Sequence, residues 1–572
     1  MSHRSHRAWV LSVLTAFLFV AVVPGIANAA DNASLQEFLA AGEFAPAITL
    51  AEQLPDRAQR DAAMAQIARA QGAAGARSAS YATLANVGND TQRSDVLNDL
   101  RETPAGGRGG GVIPDFESLI ELVTSTISPT TWSDVGGPGA VKKFVGGVYV
   151  DANGQMRRIE RTTARELAEM REAAAAVPVS ASNDPRKEST LRKVSLPRLE
   201  RAVQLRLASG REIDDEMQLL AGLERVQYVF VYPSTGDIVL AGPAGAWQPD
   251  REGRWASART GRPVLRLDDL VVLLRHMRSS PNGQFGCSIM PTQDGLARTQ
   301  AFLDHSARSP LKAGTRETWI EELRSQLGAQ TIEVIGLDPR TRVAQVLVEA
   351  DYRMKMVGIG LEPGSLDVPS YLDMIHVAAG QAPPPMNVLR WWFTMDYKAL
   401  EADPEHQAFA LSGQGVKVLS DNEMLAKDGQ HAATGTSDTL NREFAHNFTK
   451  HFEKLAEKYP IYAELQNIFD MALVAAVMKN EGLAETVGWH MNCFASPEAY
   501  PVTLGSSPKT VDTVVNHRVV NRVHILAAVS GGVSADPKVY ARSVEVERNG
   551  NVYGKRRSSA PDEEDLTRWW WD

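Results

Sequence analysis

The first thirty residues predict the compartment in which this chain folds. Arg4 and Arg7 provide a short positive start, and residues 8–23 form an apolar run without charge. A Pro-Gly pair interrupts that run, and the Ala-Asn-Ala sequence at 27–29 has the small residues of a cleavage site. This order predicts a secretory signal peptide at residues 1–29. An uncleaved amino-terminal anchor is the alternative, because the apolar run is just long enough to remain in a bilayer.

The charge of the mature chain limits its partners. Removal of residues 1–29 takes away two arginines and no acid, so the formal net charge falls from -9 to -11. An acidic chain lacks the phosphate attraction on which nucleic-acid binders rely, so we expect no nucleic acid as the main partner. No later segment reaches a membrane-spanning length without charges. We therefore expect an exported protein, periplasmic or secreted, with no transmembrane span once the signal is removed.

The two cysteines of the chain, Cys287 and Cys493, both follow the predicted signal peptide. An exported protein meets an oxidising compartment, in which one disulfide between them would persist. Two separate buried thiols are the alternative, because spacing along the chain does not fix the distance between two side chains. His490 lies near Cys493, but one such pair supplies too few ligands for zinc. We expect neither a metal nor a cofactor.

A helical and weakly repetitive segment spans residues 33–102. Its Ala-Gly pair at 41–42 recurs at 74–75, and its Gln-Arg pair at 59–60 recurs at 92–93. A period near 34 residues with two helices per unit is typical of tetratricopeptide-like hairpins. A plain helical bundle is the alternative, because the tryptophan of that repeat family is missing.

Residues 103–188 connect this segment to the rest of the chain. The Gly-rich run at 105–111 predicts a flexible hinge, and the apolar residues within 116–123 predict one short helix. Residues 146–150, followed by an Asn-Gly pair at 153–154, predict a hairpin. A stretch rich in Pro, Ser and Asn at 177–188 indicates a second linker.

The main domain, residues 189–545, alternates strand and helix patterns without a regular strand-helix-strand rhythm. This mixture predicts the α+β class, with mixed sheets and packed helices. The expected strands are 228–232 and 238–241, which form a hairpin, and 331–335, 391–395, 409–411 and 416–419. The expected helices are 267–277, 440–455 and one that begins at Pro460.

Six stretches of this domain carry a family resemblance. They are Tyr228-Val-Phe-Val-Tyr-Pro233, Asp237-Ile-Val-Leu-Ala-Gly-Pro243, Gly261-Arg-Pro-Val-Leu-Arg-Leu-Asp-Asp-Leu270, Cys287-Ser288-Ile289, Leu347-Val-Glu-Ala-Asp-Tyr-Arg-Met-Lys355 and Ser530-Gly-Gly-Val533. In this order they resemble a family of uncharacterised exported proteins of planctomycete bacteria, known only as a domain of unknown function. The resemblance covers about residues 190–540 and implies export and a shared fold, but no catalytic residue. Met290 stands where the family has an acid, so no role is assigned to an acid there.

Residues 346–357 form a candidate charged cluster. As a helix they place Glu349 four residues before Arg353 and Asp351 four residues before Lys355, the favoured order for ion pairs. As a strand they place all four charges on one face. Good helix formers favour the helix. The cluster would bind a polar ligand or a partner. The alternative is that its charges pair with one another inside the protein.

Hydrolase signatures are largely missing from the sequence. It has neither the Gly-x-Ser-x-Gly elbow of hydrolases nor the His-Glu-x-x-His helix of zinc proteases. A Ser/His/Asp site could still be assembled from Asp396, His446 and either Ser412 or Ser530, although spacing does not establish their geometry.

The segment 546–572 is expected to be a tail that ends in a tryptophan cluster, Trp569, Trp570 and Trp571. Three adjacent exposed tryptophans would be an aggregation hazard unless they are used in binding. We therefore interpret them as a docking motif for a groove or a membrane interface. The alternative is that they fold back onto their own domain.

These features favour a non-catalytic protein of the cell envelope that serves in protein-protein interaction or scaffolding. Its partner would contact the helical segment or the tryptophan tail. The alternative is an envelope hydrolase with an unrecognised Ser/His/Asp site.

Signal cleavage can be tested directly. A chain passed through a bacterial secretion system should lose its first 29 or 30 residues, because small side chains precede both positions. Intact mass measurement should then show a protein that begins at Ala30 or Asp31. A membrane-bound chain that retains Met1 would support the uncleaved anchor instead.

Overall fold

A computed structural model gives the fold of much of the chain. It describes residues 34–36, 38–39, 44–74, 76–102, 140–144, 147–151, 184–306, 315–365, 367–376, 388–425, 431–433, 438–520, 523–563 and 565–572. The predicted signal peptide, the Gly-rich hinge, the helix at 116–123 and the linker up to residue 183 lie outside the described residues. The chain divides into two compact units, residues 1–87 with 95–113 and residues 88–94 with 114–572.

The helices of the described residues are interspersed with the strands along the chain. They are α1 (Phe44–Glu52), α2 (Arg57–Ala73), α3 (Arg77–Leu84), α4 (Asp90–Glu102), α5 (Leu196–Ala208), α6 (Asp215–Gln218), α7 (Leu267–Ser279), α8 (Gln293–Ser306), α9 (Arg316–Leu327), α10 (Arg342–Gly358), α11 (Tyr371–Met374), α12 (Thr439–Lys450), α13 (Phe452–Lys458), α14 (Pro460–Asn480), α15 (Leu483–Thr486), α16 (Pro537–Ala541) and α17 (Asn551–Ser558).

The strands of the described residues form two large mixed sheets and two separate hairpins. They are β1 (Ala140–Phe144), β2 (Gly147–Asp151), β3 (Ser189–Ser195), β4 (Tyr228–Tyr232), β5 (Asp237–Ala244), β6 (Trp247–Pro249), β7 (Trp255–Ser257), β8 (Phe285–Pro291), β9 (Gln330–Ile335), β10 (Val388–Asp396), β11 (Leu400–Ala402), β12 (Ala408–Ala410), β13 (Gly415–Leu425), β14 (His431–Ala433), β15 (Thr510–Val511), β16 (Val515–Val520), β17 (Val523–Ala535), β18 (Val544–Val546) and β19 (Trp570–Trp571).

The predicted helical segment is all-α in the described residues. Asp56 caps α2 by accepting a hydrogen bond from the Gln59 amide, which satisfies one of the free donors at the helix start. Met64, Ile67 and Ala68, which follow helical spacing in α2, are buried. The helices are therefore confirmed, whereas their kinship with tetratricopeptide repeats stays a prediction.

The second unit has the predicted α+β architecture. One sheet has the order β14-β13-β10-β17-β8-β9-β15, and β16 also pairs with β17. The other sheet has the order β18-β11-β12-β4-β5-β3-β19. Most neighbouring strands are antiparallel, but β10 runs parallel to β17, and β11 runs parallel to β18. Both sheets are therefore mixed, as the sequence predicts.

The β4–β5 hairpin is confirmed, and its alternating pattern explains how the second sheet is covered. Val229 and Val231 belong to the main core, while Phe230 and Tyr232 belong to a smaller cluster on the opposite face. Helix α17 contributes Val552 to that smaller cluster. Since side chains of a strand alternate between faces, this sheet is buried on both sides.

Two glycines let neighbouring elements approach Trp391 in β10. Gly531 in β17 has a φ of +144°, and a Cβ atom there would lie 1.6 Å from the Trp391 carbonyl oxygen. A Cβ atom on Gly358, at the end of α10, would lie 2.1 Å from Cζ3 of the Trp391 ring. Strand β17 and helix α10 can therefore pack at these distances only without side chains at the two positions.

Helix α14 is the central helix of the second unit. It begins at Pro460, as predicted, and every residue from Ile461 to Met478 is buried. Among the described residues it alone has the length and apolar composition to cross a membrane, but that stretch is entirely buried inside the protein. The preceding helix differs from the prediction, because His451 interrupts it and separates α12 from α13.

The expected exposure of the tryptophan tail is wrong. Trp569 and Trp570 are only 7% and 6% exposed, and Trp571 is half-buried. Strand β19 pairs antiparallel with β3 and thereby completes the edge of the second sheet. The segment folds back because its polar groups find partners on this domain, so the three tryptophans are not a free docking motif.

An arginine fixes the end of this segment. The Arg192 Nε and Nη2 atoms donate to the two carboxylate oxygens of Asp572 at 2.9 and 3.1 Å. The same guanidinium lies 4.6 Å from the centre of the Trp570 ring, which is cation–π distance. The Trp571 indole donates to the Ser559 carbonyl at 3.2 Å. Burial of the rings and these polar contacts together hold the strand in place.

Truncation of Trp570 should therefore destabilise the domain. We expect Trp570→Ala to lower the free energy of unfolding by about 3–5 kcal/mol, because it empties a buried site. The control is Trp571→Ala, whose half-buried ring should cost less. Chemical denaturation measures both values. A Trp570→Ala protein as stable as the wild type would show that the tail is not part of the fold.

Candidate functional site

The segment 346–357 is helical, as the sequence favours, and lies within α10. Asp351 and Lys355 form an ion pair at 2.7 Å, with both side chains completely buried. Lys355 also donates to the Ile289 carbonyl of β8 at 3.2 Å. The pair thus lies between the helix and the sheet, where neither residue can reach a ligand.

The other two charges of the cluster, Glu349 and Arg353, pair with residues outside α10. Glu349 accepts a hydrogen bond from Arg254 at 2.6 Å, and Arg353 pairs with Glu362 at 3.3 Å. The expected pair between Glu349 and Arg353 is therefore replaced by contacts to neighbouring elements. The structure favours the internally paired network over a ligand-binding site, because each of the four charged side chains forms an ion pair within the chain.

The disulfide interpretation is wrong, since both cysteines are buried and no disulfide joins them. Cys287 lies in the middle of the first sheet, and burial raises the pKa of its thiol. Cys493 lies in the loop after α15, where its backbone amide donates to a Glu200 carboxylate oxygen at 2.8 Å. Each cysteine packs in its own part of the core, which is the alternative of two separate thiols.

The candidate Ser/His/Asp residues do not form a triad. Ser530 is completely buried in β17, whereas His446 is exposed on α12. Asp396 lies 3.3 Å from Lys417 on the neighbouring strand, and Ser412 follows β12 in a connecting segment. A catalytic triad requires hydrogen bonds from base to nucleophile and to acid, and the described residues show none that join His446 to the other three.

A cleft on the second unit brings together polar groups that the sequence does not reveal. It has a volume of about 350 Å³, and we call it the arginine cleft. Its walls come from α6 and its flanking residues, from β7, from the starts of α7 and α10, and from the loop near residue 500. The residues that matter are Trp255, Arg266, Asp268, Arg342, Gln345 and Tyr500.

Arg342 forms one wall of the arginine cleft and is held firmly. As the first residue of α10, it donates to the carboxylates of Asp269 and Glu464. Burial raises the pKa of Asp269, while the positive charge of Arg342 opposes that effect. Arg254 binds the other oxygen of Glu464 at 3.3 Å. The guanidinium of Arg342 is therefore largely occupied by acids of the core.

Asp268 organises the opposite wall. Its two carboxylate oxygens accept hydrogen bonds from the Tyr500 hydroxyl at 2.8 Å and from the Thr503 amide at 3.1 Å. Burial raises the pKa of Tyr500, and the neighbouring Asp268 charge adds to the increase, so the phenol stays protonated and remains a donor. Both oxygens of the Asp268 carboxylate are thus used to fix the loop near residue 500.

Arg266 differs from Arg342 and Asp268 because its side chain is not held by hydrogen bonds to the described residues. Its side chain is half-buried, and within the described part of the chain its guanidinium donates no hydrogen bond. Burial lowers the pKa of Arg266, and the nearby charge of Arg342 lowers it further, although Asp269 and Glu464 act in the opposite direction. A partly desolvated guanidinium with unused donors gains free energy when it meets an anion.

Sequence reasoning missed the arginine cleft. Arg266 does occur within one of the six stretches that carry the family resemblance, directly before the Leu-Asp-Asp start of α7. Nothing local distinguishes Arg342 from the other arginines. The cleft depends on elements more than 70 residues apart, from Arg266 to Arg342, so no local pattern could have identified it.

The buried pair of α10 makes a quantitative prediction. Lys355→Met should lower the free energy of unfolding by about 3–5 kcal/mol, because Asp351 is left buried without its counterion. The double replacement Asp351→Leu with Lys355→Met should recover most of that loss. As a control, Arg353→Met removes a partly exposed pair and should cost at most about 1 kcal/mol. Equal losses for the two single variants would contradict this assignment.

Comparison with known proteins gives one family match. Residues 287–371 match the model of a family described as a protein of unknown function, DUF1598. The matched segment contains most of β8 and all of β9 and α10, and so includes the buried Asp351–Lys355 pair and the Arg342 wall of the cleft. No curated protein and no solved structure matches the chain. The match thus shows a domain of unknown function within the second unit.

Proposed function

We propose that this protein is a non-catalytic interaction protein of the cell envelope, and that its arginine cleft binds a carboxylate of a protein partner. The observation that carries the proposal is the guanidinium of Arg266, which has no hydrogen bond to any described residue. A guanidinium presents a planar fork of donors that matches the two oxygens of a carboxylate. An acidic peptide segment is the partner chemistry that fits this group.

The other groups in the cleft support recognition of a peptide. Trp255 offers a half-buried aromatic ring, a common anchor in protein interfaces. The Gln345 side chain donates to the Ser506 carbonyl at 2.9 Å, so the wall of the cleft is fixed before a ligand arrives. A preformed site loses less conformational freedom on binding, which favours affinity.

The acids of the cleft favour binding over catalysis. Asp268 is engaged by Tyr500 and Thr503, and Asp269 accepts from Arg342. A general base needs a carboxylate or imidazole free to reach the substrate proton. These carboxylates instead stabilise the walls that surround Arg266.

Export and the helical segment complete the proposal. The signal-like residues 1–29 would deliver the protein to the envelope. Helices α1–α4 within residues 33–102 would offer a second contact surface, since paired helices of this kind commonly bind proteins. A protein with two contact surfaces could link partners and serve as a scaffold.

Binding of a carboxylate can be measured with matched peptides. The probe is an acetylated hexapeptide that ends in Glu-Glu with a free carboxylate, and its control is the amidated Gln-Gln analogue. Titration calorimetry should detect binding of the acidic peptide alone. Arg266→Gln should weaken that binding by about 10- to 100-fold, because it removes hydrogen bonds between charged groups.

A charge-matched variant separates the cleft from general electrostatics. Arg324→Gln removes an arginine whose side chain is 43% exposed and pairs with Glu321 on the same helix, and it should leave the affinity unchanged. Far-UV circular dichroism checks that both variants are folded. Equal binding of the acidic and amidated peptides, or wild-type affinity in Arg266→Gln, would overturn the proposed function.

A further inference from the structure

A second opening of the same unit has a different chemistry. It has a volume of about 400 Å³ and lies between α7, the end of α14 and the loop after α15. Its lining includes Met277, Met478 and Met491, so we call it the methionine groove. We propose that it binds a medium-chain fatty acid, with the acyl chain in the groove and the carboxylate at its rim.

The floor of the groove suits an acyl chain. Leu274 and Met277 come from α7, and Met478 comes from α14. Ala475 and Ala484 contribute small side chains to the same lining. Methionine is unbranched and polarisable, so it adapts to a flexible ligand better than a branched side chain does. The volume falls within the range of small-molecule pockets and suits one chain rather than two.

One wall of the groove is fixed by a buried acid. The Trp489 indole donates to Glu200, which also accepts hydrogen bonds from the Cys493 and Phe494 amides at 2.8 and 2.7 Å. The loop that carries Trp489 is therefore anchored from within the core. Trp489 thus lines the groove while its indole keeps a hydrogen bond inside the core.

The rim supplies positive charge for the carboxylate. Arg278 uses one guanidinium nitrogen to bind the His490 carbonyl at 3.0 Å, which leaves its other donors available. Lys479 is exposed and forms no ion pair with a described residue. Glu485 is the opposing acid on the rim, while Asp90 is engaged by the His490 amide at 2.8 Å and by its ring at 3.3 Å. The two cations therefore favour an anionic head group.

The length of the acyl chain provides the first test of this proposal. Titration of the full-length protein with fatty acids from octanoate to hexadecanoate, each below its micelle concentration, should give one site. The affinity should rise about fourfold for each added methylene and level off once the groove is full. Affinity that does not depend on chain length would overturn the proposal, as would several equivalent sites per protein.

Variants and a neutral ligand test the two parts of the site separately. Ala484→Met fills the groove and should weaken dodecanoate binding at least tenfold. Lys479→Gln should weaken dodecanoate binding but leave binding of dodecanol unchanged. The control is Lys450→Gln, which removes an exposed lysine from the end of α12 and should have no effect. Unchanged dodecanoate affinity in folded Ala484→Met, with melting temperature as the check, would exclude the groove.

Discussion

The fold depends on the polar side chains of a helix that has no access to water. Helix α14 is buried along its whole length, yet it carries Glu464 and Asp470. A buried carboxylate without a partner would destabilise the fold strongly. Asp470 is held by both arms of Arg225 at 2.7 Å and by the Tyr397 hydroxyl at 2.6 Å. The segments that carry Arg225 and Tyr397 must therefore pack around α14 for the fold to be stable.

This requirement connects the core to the arginine cleft. Arg342 donates to Glu464 of the central helix and at the same time forms a wall of the cleft. It begins α10, whose far end at Gly358 packs on the Trp391 ring of the first sheet. A change at Arg342 would thus remove hydrogen bonds from buried carboxylates, whereas the Arg266 guanidinium donates no hydrogen bond to a described acid. This difference makes Arg266 the informative residue for binding experiments.

Helix α7 and the loop after α15 link the two openings. The helix has 13 residues and is about 20 Å long. The cleft lies at its first turn, and the methionine groove lies towards its end. The loop supplies Trp489 to the groove and Tyr500 to the cleft. Between them, Arg275 of α7 donates to the carbonyls of Phe494, Ser496 and Tyr500 at 2.7 to 2.9 Å. One arginine therefore positions the loop for both openings.

The sequence by itself determined the α+β class, the β4–β5 hairpin, α7, the helical state of α10 and the start of α14, because apolar periodicity and helix-start signals act over a few residues. It could not show that Trp569 and Trp570 are covered, that Cys287 and Cys493 remain apart, or that Asp351 and Lys355 are buried. Those outcomes, and the meeting of Arg266 with Arg342, were decided only by the tertiary structure. They depend on contacts between distant segments and on the cost of leaving a charge without water, neither of which a local pattern contains.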